Sequence, residues 1–307
     1  MTHVSIVGAG SVGVAAANAI LHQRIAKHVT FFDVDERKAE GEAMDFAHAA
    51  AMFGSPKVQY GSMQSLVTGD VCILSAGVKM RSGETRLALL KRNIEVAHSL
   101  ADAMEKSGKL PKILVVLTNP VDVITEVFMR RWHNRSDVRI FGTGTSLDTM
   151  RLRQSLATFF SVHPANVHAW VVGEHGDSSA ILLDHARIGC YSLEEFAKND
   201  STVRFDGPAR EAIRAEVRSA AYRIIERKGA TAHGIGMMAG RLARAILRDE
   251  NAIFPVSVRV RDSVCASLPC LIGIGGARLL PAPQMSPTEQ HEYDTSVALL
   301  ESACAAL

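Results

Sequence analysis

The chain has 307 residues, with 34 basic and 32 acidic side chains and a formal charge of +2, so it exceeds one minimal core and suits two domains or one large α/β unit. The near-balanced charge excludes the concentrated basic face of a nucleic-acid binder. Five cysteines (Cys72, Cys190, Cys265, Cys270, Cys304) are an odd number without zinc-type spacing, no apolar run approaches a spanning helix, and a strand pattern begins almost at Met1; the expectations are free thiols, no metal site, no membrane anchor, no signal peptide and a cytoplasmic location.

In chain order, "HVSIVGAG", "HVTFFDVD", "DVCILSAG", "KILVVLTNP" and "DVRIFGTG" are short, rich in β-branched residues and closed by turn signals. Such runs suit strands buried on both faces of a parallel sheet. Helical patterns over 12–23, 37–50, 85–107 and 121–132 lie between them, and this alternation predicts a doubly wound α/β domain, residues 1–142. From 143 to 307 the pattern predicts an α+β substrate domain: a helix over 147–160, the strand-like "NVHAWVVG", and a long helix with Ile213, Val217, Ala220, Ile224 and Ile225 on one core-facing side. In a final helix, Ser286 is the N-cap, Pro287 the first helical residue and Glu289 the partner three residues on. Met52 with Phe53 and Met237 with Met238 read as core or interface packing, and the histidines at 22, 28, 48, 98 and 133 read as solvated.

"GAGSVG" places Gly8, Gly10 and Gly13 in G-x-G-x-x-G order between a strand and a helix. The first glycine permits a tight turn, the second a close approach of backbone to a pyrophosphate, and the third close packing of helix on strand. The next strand ends in Asp33, twenty residues past Gly13, where a carboxylate accepts both ribose hydroxyls and repels a 2′-phosphate. A Rossmann site for NAD rather than NADP follows. Further on, "GEHGDSS" sets His175 between glycines and carboxylates, and "SLDTMRLR" supplies Asp148 and Arg151 three residues apart on one helical face. A histidine oriented by a buried carboxylate can carry a proton, and an arginine fork matches a substrate carboxylate. The plain alternatives stay open at this point: a structural histidine, and an ordinary ion pair on a helix surface.

Taken together, "IVGAGSVG", "TNPVD", "LDTMRLR", "GEHGDSS" and "KGATAHGIG" resemble, in order and spacing, the NAD-dependent L-lactate and malate dehydrogenases. "SGETRL", "FSVHPANVHAWVVGEHGDSS" and "RAILRDENAIFPVS" bring the chain nearest to the bacterial L-lactate dehydrogenases. The resemblance implies that His175 donates a proton to the ketone oxygen, that Asp148 stabilises its imidazolium, and that Arg151 holds the substrate carboxylate. It further implies that Arg86, carried on a closing loop, polarises the carbonyl; that Asn119, before a cis proline, bonds nicotinamide or substrate; and that Thr231 and Ile235 line the substrate side chain and the nicotinamide. In the same way it implies assembly as a homo-oligomer, a dimer or tetramer.

The residue six before the polarising arginine meets the substrate's variable group in that family, and here it is Met80. A thioether offers no charge to a second carboxylate, so pyruvate/L-lactate or a larger apolar 2-oxo acid is the expected substrate. Arg81 stands beside it and Ser82 replaces a proline common in the loop, so malate recognition remains an alternative, as does a non-catalytic NAD-binding protein. Arg153 and His168 match positions at which allosteric bacterial members bind fructose 1,6-bisphosphate across a subunit interface; the bland alternative is a pair of surface cations.

Overall fold

The computed structural model describes residues 2–63, 66, 69–78, 86–199, 204–305 and 307, with the side chains of 86 and 87 outside that description. The readings made for Met80, Arg81, Ser82 and the Arg86 side chain therefore fall outside the described residues.

The first half runs β1 (His3–Val7), α1 (Ser11–His22), β2 (His28–Phe32), α2 (Glu36–Ala50), β3 (Lys57–Tyr60), β4 (Val71–Leu74), α3 (Arg86–Lys106), β5 (Ile113–Val116), α4 (Val121–Arg131) and β6 (Arg139–Gly142). These strands stand in the order β3-β2-β1-β4-β5-β6, all parallel. That order is the doubly wound one, with its switch point between β1 and β4, where such sheets bind ligands. The five apolar runs became β1, β2, β4, β5 and β6; in β4 and β5 every residue is buried. The sequence reading missed β3, because Lys57–Tyr60 is an exposed edge strand that lacks the apolar signature.

The second half runs α5 (Ser146–Phe159), β7 (Val167–Val172), β8 (Ala180–Ile188), β9 (Tyr191–Ser192), α6 (Leu193–Ala197), α7 (Gly207–Lys228), α8 (His233–Leu247), β10 (Ala252–Arg261), β11 (Val264–Gly273), β12 (Gly276–Leu279) and α9 (Pro287–Cys304). Strands β7 to β9 form a separate antiparallel sheet, whereas β10 to β12 extend the first sheet to nine strands by pairing β10 with β6 at Ser257 and Gly142. Helix α8 lies against α1 so closely that a Cβ at Gly236 would strike Ala15, and one at Gly240 would come 2.5 Å from the Ala19 Cβ. Met238, Ala239, Leu242 and Ile246 of α8 thereby share one core with Val4, Ile6 and Ile20.

One packing expectation is corrected. In α7, Ile213 and Val217 are buried, but Ile224 and Ile225 are exposed, because only the first half of that helix lies over the core built from α5, β7 and β8. Of the methionine pairs, Met238 is in the core, whereas Met52 and Met237 are exposed on the single chain, which leaves the interface part of that expectation open. Of the five histidines read as solvated, His28 is half-buried and meets His3 edge-on. Among the described residues, no helix is long and apolar enough to cross a membrane.

Candidate active site

The switch point is shaped by glycine. Gly8 has φ +105°, and a Cβ there would lie 2.5 Å from the Ala76 nitrogen at the end of β4, so the turn admits only a residue without a side chain. A Cβ on Gly13 would overlap the Gly8 carbonyl, whereas one on Gly10 would meet nothing within 4 Å. Gly10 is also the N-cap of α1, and no side chain caps that end. The first turn of α1 thus points backbone N–H groups and the positive end of its dipole into open space, as an anion site requires. Asp33, at the end of β2, accepts from the Ala9 N–H (2.7 Å, Oδ2) and the Asp35 N–H (3.0 Å, Oδ1). Those bonds fix the carboxylate, and each oxygen keeps a lone pair for a ribose hydroxyl. The cradle fits a dinucleotide pyrophosphate with its adenosine ribose alongside.

Asn119 follows β5 and precedes a cis peptide to Pro120, as expected. Its backbone carbonyl accepts from the side-chain amide of Asn93 (3.1 Å), whose Oδ1 accepts from the Val78 N–H (2.8 Å). One buried asparagine on α3 therefore ties together the turns after β4 and β5 and leaves the Asn119 side chain exposed. Sequence reasoning passed over Asn93; a polar residue inside an otherwise apolar helical stripe was its only signal.

The chemical centre lies where α5 meets the turn after β7. Asp148 sits in the first turn of α5 and is buried. Its Oδ2 is 2.6 Å from His175 Nδ1, and its Oδ1 accepts from Arg151 Nη1 at 2.7 Å. The structure brings the three predicted residues together on one carboxylate. Because Nδ1 faces that carboxylate, Nε2 is the nitrogen free to exchange a proton with a ligand. Burial disfavours the imidazolium, but the charge and hydrogen bond of Asp148, with the charge of Asp122 added, outweigh it and raise the His175 pKa above 6.5. Burial likewise opposes the Asp148 charge, and His175 and Arg151 overcome it, lowering that pKa below 3.8. Each partner thus holds the other in its charged form.

The loop that carries His175 is fixed from behind. Asp122, in the first turn of α4 and buried, accepts from the His175 N–H at 2.8 Å, while Ser296 of α9 accepts from the Glu174 N–H at 2.7 Å. Sequence alone reveals neither support; Asp122 stands there only as the last letter of "TNPVD". Thr231 precedes α8 and Ile235 lies in its first turn, both half-buried, and Ile235 packs against the core that also holds α1.

Arg153 and His168 lie apart from this centre. The Arg153 guanidinium stacks 4.9 Å from the centroid of the Trp170 ring, and its Nε donates to the Ala169 carbonyl at 3.2 Å. Burial lowers its pKa. His168 is exposed on β7, two residues before Trp170.

Two family models match the chain: one described as lactate/malate dehydrogenase, NAD binding domain, over residues 2–142, and one described as lactate/malate dehydrogenase, alpha/beta C-terminal domain, over 145–306. L-lactate dehydrogenase 1 of Bacillus cereus is 35% identical over 99% of this chain and 98% of its own length. L-lactate dehydrogenase of Salinibacter ruber is 38% identical over 97% and 96%. Among solved structures, the minor L-lactate dehydrogenase of Enterococcus mundtii in its ligands-bound form superposes with a TM-score of 0.92 at 32% identity, covering 100% of this chain and 98% of that one. A lactate dehydrogenase from a Medee basin deep-sea metagenome library gives 0.90 at 34%, covering 98% and 97%.

Proposed function

Since the chain belongs to the lactate/malate dehydrogenase family, and its cofactor is accordingly NAD, we propose that it reduces a small apolar 2-oxo acid, pyruvate in the first instance, to the L-2-hydroxy acid. The observation that supports this most is the single Asp148 carboxylate shared by His175 and Arg151, which sets a proton carrier and a carboxylate clamp side by side. Bound NADH supplies the hydride. His175 gives its Nε2 proton to the ketone oxygen as that oxygen gains charge, and Asp148 stabilises the imidazolium until then. Arg151 orients the substrate through its carboxylate, and Arg86 stabilises the developing alkoxide in the reading carried from the family. Asn119 bonds the nicotinamide or substrate oxygen, and Thr231 and Ile235 bound the space for the substrate side chain and the ring. The reaction consumes one proton with each hydride transferred.

Met80 as the residue facing the variable group supports an apolar substrate, because a second carboxylate buried without a partner costs several kcal/mol or more. Residues 1–142 hold the dinucleotide and 143–307 the substrate. The active form is a homo-oligomer, and five thiols outside any disulfide suit a reducing cytoplasm. Fructose 1,6-bisphosphate activates it at Arg153 and His168, its phosphates neutralising cations that would otherwise repel their counterparts across a subunit interface.

The test is oxidation of NADH with pyruvate, oxaloacetate and 2-oxoisocaproate in parallel, each with and without the bisphosphate. Pyruvate or the longer acid should lead, with a lower apparent KM when the effector is present. Oxaloacetate leading would make Arg81 the selecting residue and the activity that of a malate dehydrogenase. An effector without influence on KM would reduce Arg153 and His168 to surface cations, and no turnover with any acid would leave a protein that only binds NAD.

A further inference from the structure

Behind His175 stands a second acidic group that the proton-transfer scheme does not use. Asp122 is 2% exposed, and its Oδ2 accepts from the His175 N–H at 2.8 Å. Its Oδ1 is buried and faces the fully buried Ser257 Oγ of β10, but the pair falls short of good hydrogen-bond geometry. A buried carboxylate with one oxygen unspent is costly to keep for packing alone, since an apolar or amide side chain would fill the same space at lower cost.

We propose that Asp122 is a second positioning carboxylate for His175: it fixes the backbone from which the imidazole hangs and lends a buried negative charge to the imidazolium form. The inference rests on the reading of His175 as proton donor. The groups that face His175 are Asp148 and Arg151 from α5 and Asp122 from α4. Asp122 in turn faces His175, Glu174 beside it, and Ser257 from β10, and it acts on Cys265 of β11. Of the two carboxylates raising His175, Asp148 is also tied to Arg151, whose positive charge works against the imidazolium. Asp122, by contrast, hydrogen-bonds to no cationic side chain among the described residues. Desolvation by burial pushes its own carboxyl up to about 6, eased downward by Ser257, the His175 N–H and the His175 charge. Both groups are raised, and the Asp122 charge, once formed, favours the imidazolium.

The experiment is an NMR titration of the His175 imidazole, assigned by comparison with H175N, in wild type and in Asp122→Asn. The asparagine carbonyl still accepts from the His175 amide and its NH₂ can donate to Ser257, so the backbone anchor survives and only the charge is lost. The midpoint is expected to fall by about half a unit to one unit, and the alkaline limb of kcat/KM for pyruvate reduction should move with it while KM at the optimum changes little. Should D122N fold poorly, D122S also removes the charge, and although its shorter side chain gives up the bond to the amide, its His175 midpoint is read in the same way. A midpoint unchanged to within about 0.2 unit would overturn the proposal, even with a lowered melting temperature or kcat, which a merely structural role would also produce. A shifted midpoint in a protein that reduces no 2-oxo acid would instead leave the electrostatic coupling standing and refute the enzymatic reading.

Discussion

Asp148 divides its two oxygens between an imidazole and a guanidinium, so one substitution separates charge from shape. Asp148→Asn retains the volume but cannot stabilise the imidazolium, and burial together with the Arg151 charge then pulls His175 down against Asp122 alone. The expected result is a loss of kcat/KM for pyruvate reduction of about 10²- to 10⁴-fold, with the alkaline limb displaced to lower pH, measured from steady-state rates between pH 5 and 9. With His175 in the proposed role, reduction by the wild type needs it protonated and oxidation needs it neutral. As pH rises through the raised pKa, reduction should therefore fall and oxidation of the hydroxy acid rise. The same groups couple pH to stability, with signs that follow from their shifts. Asp148 is lowered, so its contribution is present above 3.8 and fades as pH falls through its folded value. His175 is raised, so its contribution is complete below 6.5 and fades as pH climbs through its folded value. Asp122 is raised from 3.8 to about 6, and its contribution is lost across that interval as pH rises. Thermal melts of Asp122→Asn against wild type should thus diverge in favour of the variant above pH 6 and converge near pH 4; divergence in the opposite sense would contradict the desolvation account.

At the scale of elements, the mouth of α1 separates folding from binding within one motif. Gly13→Ala should lower the melting temperature, because its Cβ overlaps the Gly8 carbonyl inside the fold. Gly10→Ala should melt as wild type does yet bind NADH more weakly, because its Cβ enters only the space before the helix; fluorescence titration with NADH beside a thermal melt distinguishes them. Helix α9 makes a comparable division. Its Ser286 and Glu289 form the capping box that the sequence signalled, and Ser286→Ala should cost about 1 kcal/mol in denaturant unfolding. Glu289 is fully buried and its Oε1 also accepts from the Leu183 and Asp184 N–H groups. Glu289→Ala should therefore cost about 3 kcal/mol, since it strands two β8 amides. That second role was invisible in the sequence, where a capping box is a local pattern and β8 lies a hundred residues away. The same limit explains the rest of what was and was not legible. Strands with apolar runs, glycines fixed by local sterics, and Asp148 with Arg151 at helical spacing announce themselves along the chain. The edge strand β3, the exposure of Ile224 and Ile225, and Asp122 behind His175 depend on which element arrives from elsewhere.

At the scale of the whole molecule, the two halves are less separable than a division at residue 142 suggests. Helix α8 completes the core around β1 and α1, and β10 to β12 continue the sheet beyond β6. Residues 1–142 expressed alone should expose the α1 face, bind a hydrophobic dye and melt without a cooperative transition; a sharp transition would show that the first half folds without α8. The contact of α8 with α1 also has a practical side. The end of α1 proposed to face the pyrophosphate and the end of α8 that carries Ile235 belong to helices in glycine-to-alanine contact at Gly236 and Gly240. A protein engineer seeking to admit bulkier acids therefore cannot slide α8 outward without dislodging the cofactor's seat. On the proposed roles of Ile235 and Thr231, room is made by trimming those side chains in place, and libraries that vary the helix's tilt or register should yield mostly variants with poor NADH retention.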